Sequence, residues 1–208
     1  DFDPSTDTLY LTSNGYADIF IQKLDSNGIL IWAKSMGRNS RDLGTSITTD
    51  ALGNVYTTGY FQSIVDFDPG PDTLYLTSAG GGDIFIQKLD PNGNLLWVVS
   101  MGGWPFEQAN FITTDELGNV YTTGSGTLNL TSAGGDDIFI QKLDSNGNLI
   151  WAISMGGATW GNGLYDEGNS ITTDALGNVY TTGYFNGTGD FDPGVGAFNL
   201  TSAGFDDI

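Results

Sequence analysis

The 208-residue chain contains 6 Lys and Arg residues against 25 Asp and Glu, a formal net charge of −19. Phosphate backbones and anionic lipid headgroups repel such a chain, so nucleic acid is not expected as a partner. The absence of Cys and His removes disulfides, thiolate chemistry and Ser-His-Asp triads. No apolar run approaches the roughly 20 residues that a membrane helix needs, so membrane insertion is not expected either.

The first predicted elements are two strands, 18–24 and 29–35, whose alternating residues place apolar side chains on both faces. The segment between them ends in Asn27-Gly28, which favours positive φ at both residues of a tight hairpin turn. Two more strands follow at 47–50 and 54–61. Four antiparallel strands with two apolar faces predict a sheet that packs between copies of itself.

This set of strands recurs along the chain. Three sequence anchors keep the same order, and the length changes fall between them, as loops allow. The anchors are DIFIQKLD at Asp18, Asp83 and Asp137, LGNVYTTG at Leu52, Leu117 and Leu176, and a tryptophan four residues before a methionine at Trp32, Trp97 and Trp151. The sequence therefore predicts an all-β fold of β-propeller-type blades, each with four antiparallel strands.

The repeat divides the chain into units 1–65, 66–124 and 125–189, with a partial fourth unit at 190–208. About three blades are fewer than the four from which known rings start. Further repeats of the same or a longer chain are therefore the expected partners. An open stack of blades and a ring shared between several chains remain the alternatives.

Three motifs resemble the SBBP family of β-propeller repeats over nearly the whole chain: G-N-V-Y-x-T-G, D-F-D-P-G and L-T-S-A-G-x-x-D-I-F-I-x-K-L-D-x-x-G-x-x-x-W. The resemblance implies a secreted or cell-surface bacterial protein. The D-F-D-P-G variety is similar to proteins that Bacteroidota export by type IX secretion.

The D-F-D-P motif is a candidate calcium site, because two carboxylates two residues apart on a loop can turn toward one hard cation. The candidate ligands are Asp1, Asp3, Asp66, Asp68, Asp190 and Asp192. No bidentate Glu follows them at the spacing of an EF-hand loop. The alternative is a turn without metal, in which Asp caps the turn, Phe packs inward and Pro-Gly reverses the chain. No cofactor is required, and calcium stays open.

A catalytic centre would be expected as a cluster that does not repeat. Glu107 and Glu167 are the carboxylates outside the repeated turns that could form a glycosidase pair. The third glutamate, Glu116, occupies a repeated turn where the other copies carry Ala. The sequence predicts no enzyme, with a glycoside hydrolase as the alternative.

The loops after each S-M-G differ most between repeats, and they are predicted to share one face. Their aromatic residues could stack on sugars or pack against a partner, and two arginines add local positive charge. The candidates are Trp104, Phe106, Trp160, Tyr165, Arg38 and Arg41. Alternatively, each aromatic side chain covers the edge of its own blade. These loops predict a scaffold with protein or glycan interaction capacity, and a carbohydrate-binding adhesin or lectin is the alternative.

Modification is also possible. Thr8 and Thr73 lie in D-T-L, which resembles the short O-glycosylation motif of Bacteroidota. Asn129, Asn186 and Asn199 open N-x-T triplets.

Overall fold

The computed structural model describes residues 1–104, 106–128, 130, 135–157 and 165–203. Within these ranges the chain forms β-strands and no helix, as predicted. No helix among the described residues is therefore long and apolar enough to cross a membrane. The strands are β1 (Ile19–Leu24), β2 (Leu30–Met36), β3 (Leu43–Thr49), β4 (Val55–Phe61), β5 (Ile64–Asp66), β6 (Tyr75–Thr77), β7 (Asp83–Leu89), β8 (Leu95–Met101), β9 (Gln108–Thr114), β10 (Val120–Ser125), β11 (Ile138–Leu143), β12 (Leu149–Gly157), β13 (Glu167–Thr173), β14 (Val179–Tyr184), β15 (Thr188–Asp190) and β16 (Asn199–Thr201).

Two four-stranded antiparallel blades form the middle of the molecule. The first blade has the order β3-β4-β7-β8, and the second has the order β9-β10-β11-β12. The antiparallel pair β1-β2 precedes them, and the pair β13-β14 follows. The prediction of four-stranded antiparallel blades is confirmed. Each blade begins midway through one predicted repeat unit and ends in the next, since a repeat has no fixed starting point.

Two short hairpins supplement the blades. The hairpin β5-β6 lies in the connection between the second and third strands of the first blade. The hairpin β15-β16 follows β14 and extends the second blade, because β15 pairs with the end of β12 at Gly156 and Gly157. Both hairpins carry the D-F-D-P motif at their tips.

The hairpin turns close on glycines in the left-handed region. Gly28 has a φ of 82°, and its N–H donates to the Asp25 carbonyl at 3.0 Å. Positive φ was expected at Asn27 as well, but only the glycine adopts it. The Asp25 N–H donates to the Ile29 carbonyl at 2.8 Å, which makes this a three-residue turn with a glycine bulge at Gly28.

The core lies between successive sheets. One apolar cluster joins β1-β2 to the first blade, a second joins the two blades, and a third joins the second blade to β13-β14. Strand β7 packs on both faces, because Phe85 enters the first cluster while Ile84 and Ile86 enter the second. Strand β4 does the same, with Phe61 in the first cluster and Tyr56 in the second. The repeated tryptophans lie half-buried between sheets: the indole N–H of Trp32 donates to the Pro91 carbonyl at 3.1 Å.

Strand direction places different segments at the two ends of the blades. One end, the turn face, carries the tight turns that join first to second and third to fourth strands. The other end, the loop face, carries the S-M-G loops between sheets and the connections with the D-F-D-P hairpins. The described residues of the variable loops therefore lie on one face.

Candidate functional site

The D-F-D-P hairpin of the first blade joins that blade to the preceding strand pair. Phe67 is fully buried, with its ring centroid 5.2 Å from that of Phe61 and 5.0 Å from that of Phe85. The same cluster contains Ile19 and Met36 from β1 and β2. The hairpin on β15-β16 repeats the inward packing, since the ring centroid of Phe191 lies 5.0 Å from that of Phe185.

The first aspartate of each motif caps the hairpin loop. Asp66 Oδ1 accepts hydrogen bonds from the backbone N–H groups of Asp68, at 3.1 Å, and Leu74, at 2.8 Å. The second carboxylate, Asp68, accepts the N–H of Gly70 at 2.7 Å. Asp1 and Asp3, and Asp190 and Asp192, make the equivalent bonds.

A buried glutamine anchors the hairpin to the blade. The Gln87 side-chain amide donates to the Phe67 carbonyl at 2.7 Å, and Gln22 donates to the Phe2 carbonyl at 2.6 Å. The third repeat unit lacks D-F-D-P, and there Gln141 donates to the hydroxyl of Thr122 instead. The motif is therefore part of the packing between sheets where it is present.

Calcium at these turns stays a prediction. No group of three or more Asp, Glu, His or Cys residues in the described part of the chain is arranged to hold a metal ion. In the first D-F-D-P turn, the hydrogen bonds from Ser5 lower the pKa of Asp3, and in the last the backbone N–H groups of Asp192 and Phe198 lower that of Asp190. Both effects favour a charged carboxylate with or without an ion.

Two acidic side chains meet at each junction between sheets on the loop face, and all of them except the half-buried Asp18 are buried. One acid opens the DIFIQKLD strand, and the other directly precedes the first strand of the next sheet. The pairs are Asp18 with Asp42, Asp83 with Glu107, and Asp137 with Asp166. Between Asp83 and Glu107 lies Gly102, where a side-chain carbon would stand 2.8 Å from Asp83 Oδ1 and 2.9 Å from Glu107 Oε2.

These acids hold the junction backbone together. Asp42 accepts the N–H groups of Arg38 and Gln62, both at 3.0 Å, so it links the S-M-G loop to the end of β4. Asp166 accepts the N–H groups of Gly157 and Asn186 in the same way. The second oxygen of Asp83 accepts the N–H of Ala79 at 2.9 Å, while its Oδ1 is buried without a partner among the described residues.

Burial raises the pKa of the second acid in every pair. For Glu107, burial is the main cause, and the nearby charges of Asp83 and Asp136 add to it. The N–H of Gly103 and the hydroxyl of Thr127 act in the opposite direction through hydrogen bonds to the carboxylate. Burial also raises the pKa of Asp42 and Asp166. The carboxyls of Asp42, Glu107 and Asp166 thus favour their protonated forms more than exposed carboxyls do.

The proposed glycosidase pair occupies two unlike places. Glu107 is fully buried as a junction acid. Glu167 begins β13, where its carboxylate accepts the Asn110 amide at 2.6 Å and the Tyr184 hydroxyl. Burial and this hydrogen bond raise the pKa of Tyr184. Both carboxylates are thereby engaged in contacts that join neighbouring sheets.

The aromatic candidates of the variable loops differ in exposure. Trp104 is 82% exposed, whereas Phe106 packs edge-on against Tyr60 with ring centroids 4.7 Å apart. Tyr165 is 44% exposed and lies 6.3 Å, centroid to centroid, from Tyr184. Phe106 therefore covers its own junction, and Trp104 presents its ring to solvent.

The remaining candidates are exposed, buried or outside the described residues. Arg38 and Arg41 are exposed on the first S-M-G loop, and Thr8 and Thr73 are exposed on D-F-D-P hairpin loops. Trp160 lies outside the described residues, as does Asn129. Asn186 is buried at 3% exposure, which removes its side chain from solvent.

No known family model matches the chain. An uncharacterized WD repeat-containing protein of Acanthamoeba polyphaga mimivirus is 25% identical over 202 residues, covering 79% of this chain. The regulatory protein FlaEY of Caulobacter vibrioides is 24% identical over 152 residues, covering 70% of this chain. The chain spans only 14% and 16% of these relatives. This weak similarity agrees with a repeat protein of propeller type, and the SBBP assignment stays a prediction.

The sequence did not predict the acid pairs: Glu107 was expected only as a catalytic candidate, and Asp42 and Asp166 were not singled out. The acid before the next sheet stands six residues after Met36 and Met101 but eleven after Met155, so a gapless comparison does not align Asp166 with Asp42 and Glu107. An acid directly before the first strand of each sheet could have revealed the pattern. Asp166 aligns with the other two acids only when the third loop is allowed five more residues.

Proposed function

We propose that this chain is part of a non-enzymatic repeat scaffold that binds other proteins at a bacterial cell surface or in the secreted fraction. The observation that carries the proposal is the contrast between repeated junctions and unlike loops. Each junction repeats its acid pair, while the loops over it differ in length and composition and include the exposed Trp104. The weak similarity to a WD repeat-containing protein supports an interaction role in general.

A crosslinking experiment tests this role. A photoreactive phenylalanine analogue at Trp104 should capture one or a few surface proteins from intact cells of the source organism. The same analogue at Ile150, 51% exposed on an outer strand, serves as the matched control. Equal captured sets at both positions would argue against a loop-face binding site. Protease treatment of intact cells, with loss of the protein from whole-cell blots, tests its surface location.

Absence of catalysis is a separate part of the proposal. The structural hydrogen bonds of Glu107 and Glu167 support it, since a glycosidase needs two carboxyls that flank a sugar. Turnover of a polysaccharide panel that disappears in Glu167→Gln would refute it.

Carbohydrate binding is the second candidate, favoured by the exposed ring of Trp104. An aromatic face that is 82% exposed can stack on a sugar. Binding to a glycan array that is lost in Trp104→Ala and in Trp160→Ala would favour a lectin, whereas no binding by the wild-type chain would reject it.

A further inference from the structure

Three equivalent leucines are exposed on the turn face. Leu52, Leu117 and Leu176 are 81%, 82% and 88% exposed, and each occupies the same position of the turn between the first and second strands of a sheet. The turn uses only the backbone of this residue: the Leu52 N–H donates to Asp50 Oδ1 at 2.9 Å. Any residue with an N–H group would satisfy that bond, so the turn itself does not require leucine.

Successive leucines line the same clefts. A cleft of ≈490 Å³ between the turns of the two blades contains Leu52 and Leu117. A second cleft of ≈580 Å³, between the second blade and β13-β14, contains Leu117 and Leu176. Both volumes fall within the range of known binding sites. Because the leucine repeats with the blade, the surface offers a row of apolar contacts at regular intervals.

The clefts carry excess negative charge. Asp50, Asp115, Glu116 and Asp174 line them. The nearby lysines already have contacts within the protein: Lys142 Nζ lies 3.9 Å from Asp115, and Lys88 Nζ donates to the Ser145 carbonyl at 3.3 Å. A segment that enters these clefts would meet leucine side chains at carboxylate-rich rims, which matches apolar residues interspersed with Lys or Arg.

We propose that the clefts between the turns of neighbouring sheets bind a basic, apolar segment of a partner protein. Its apolar side chains pack against Leu52, Leu117 and Leu176, and its Lys or Arg side chains face Glu116 and the turn aspartates. The inference rests on the proposed scaffold function and assigns it a second surface, opposite the variable loops.

Fluorescence anisotropy with the full chain tests the proposal. The probe is a labelled 12-residue peptide of alternating lysine and leucine, and a lysine–serine peptide of equal charge serves as comparison. The triple variant Leu52→Ser, Leu117→Ser, Leu176→Ser should weaken lysine–leucine binding about tenfold or more, given the apolar area it removes. Charge reversal in Glu116→Lys should weaken it too, with a steeper loss at low salt.

The matched control removes equally repeated apolar residues elsewhere. Ile31, Leu96 and Ile150 are 53%, 52% and 51% exposed on the outer strands β2, β8 and β12, and their triple serine variant should bind the peptide like wild type. Equal weakening in both triples, or equal binding of the lysine–serine peptide, would overturn the proposal. So would a wild-type dimer, seen by sedimentation, that the turn triple dissociates, because a second copy would then be the occupant.

One further comparison separates this inference from the scaffold function itself. Trp104→Ala should leave peptide binding unchanged. If wild type fails to bind the peptide while crosslinking at Trp104 still captures a partner, the turn-face proposal is wrong and the scaffold function stands.

Discussion

Aspartate side chains organise the local backbone of this chain by accepting several hydrogen bonds each. Asp115 accepts the N–H groups of Leu117 and Asn119, both at 2.9 Å, together with the Asn119 amide and the Tyr121 hydroxyl. Burial acts to raise the pKa of Asp115, but these hydrogen bonds outweigh it and lower the pKa. The same arrangement recurs at Asp50, so one residue type fixes both the turn and the strand that follows.

Replacing Asp115 should therefore destabilise the fold. We expect Asp115→Ala to lower the free energy of unfolding by about 2 kcal/mol, because it leaves the Tyr121 hydroxyl and Asn119 without their acceptor. Urea denaturation measures this loss. The neighbouring exposed Glu116→Ala should change stability little, and an equal loss in both variants would contradict the assigned role.

The second acid of each junction pair makes stability depend on pH in the direction opposite to the turn aspartates Asp50 and Asp115. Because the pKa of Glu107 is raised in the folded state above its ordinary 4.5, the folded protein binds the proton more tightly than the unfolded chain. That contribution to stability is complete below the ordinary pKa and is lost as pH rises through the folded value. Groups with lowered pKa, such as Asp50 and Asp115, instead lose their contribution as pH falls.

The variant Glu107→Gln measures how much the titration of Glu107 contributes to the pH dependence of stability. The free energy of unfolding of this variant relative to wild type should increase as pH rises above the ordinary pKa of 4.5, since the amide stays neutral throughout. Urea denaturation at several pH values gives this difference, with Glu116→Gln as the control. A difference that does not vary with pH would show that Glu107 titrates normally.

At the scale of elements, the D-F-D-P hairpin joins one sheet to the sheet before it. Phe67 fills the space between β1-β2 and the first blade. The Gln87 side-chain amide donates to the Phe67 carbonyl and holds the hairpin backbone against the blade. The motif, its turn and the inward phenylalanine follow from local sequence. The sequence does not show which sheet Phe67 contacts. Its packing against Ile19 and Met36 depends on how the blades stack.

Truncation of that phenylalanine tests the joining role. Phe67→Ala should cost about 4 kcal/mol of unfolding free energy, typical for a fully buried Phe. Tyr75→Ala on the same hairpin, at a side chain that is 56% exposed, should cost far less. Similar losses for the two variants would mean that the packing of Phe67 does not join the two sheets.

The whole molecule carries a charge that opposes its compact state. The formal net charge is −19, and among the described residues one ion pair lies within 4.0 Å, Lys142 with Asp115. Like charges spread over a compact surface repel one another, and salt screens that repulsion. Stability should therefore depend on ionic strength more than on individual pairs.

Raising NaCl from about 0.01 M to about 0.1 M shortens the Debye length from about 30 Å to about 10 Å, so the melting temperature should rise. Calcium chloride at equal ionic strength should raise it further only if the ion binds the folded state, for example at the D-F-D-P turns. Reversal by a chelator would support that site. A melting temperature that falls with NaCl would show that attractive pairs dominate the surface.

The sequence alone determined the blade, its turns and most strands, because these follow from local signals; β3, predicted at 47–50, instead spans Leu43–Thr49. Alternating apolar residues, Asn-Gly turns and a fixed order of anchors specify four antiparallel strands, and the repeated tryptophans indicate the packing between sheets. The tertiary structure decided which distant side chains meet. Blade stacking pairs Asp83 with Glu107, brings Asn110 and Tyr184 onto Glu167, and leaves Leu117 exposed between two clefts. Such contacts depend on sheet twist and loop length, which no short stretch of sequence encodes.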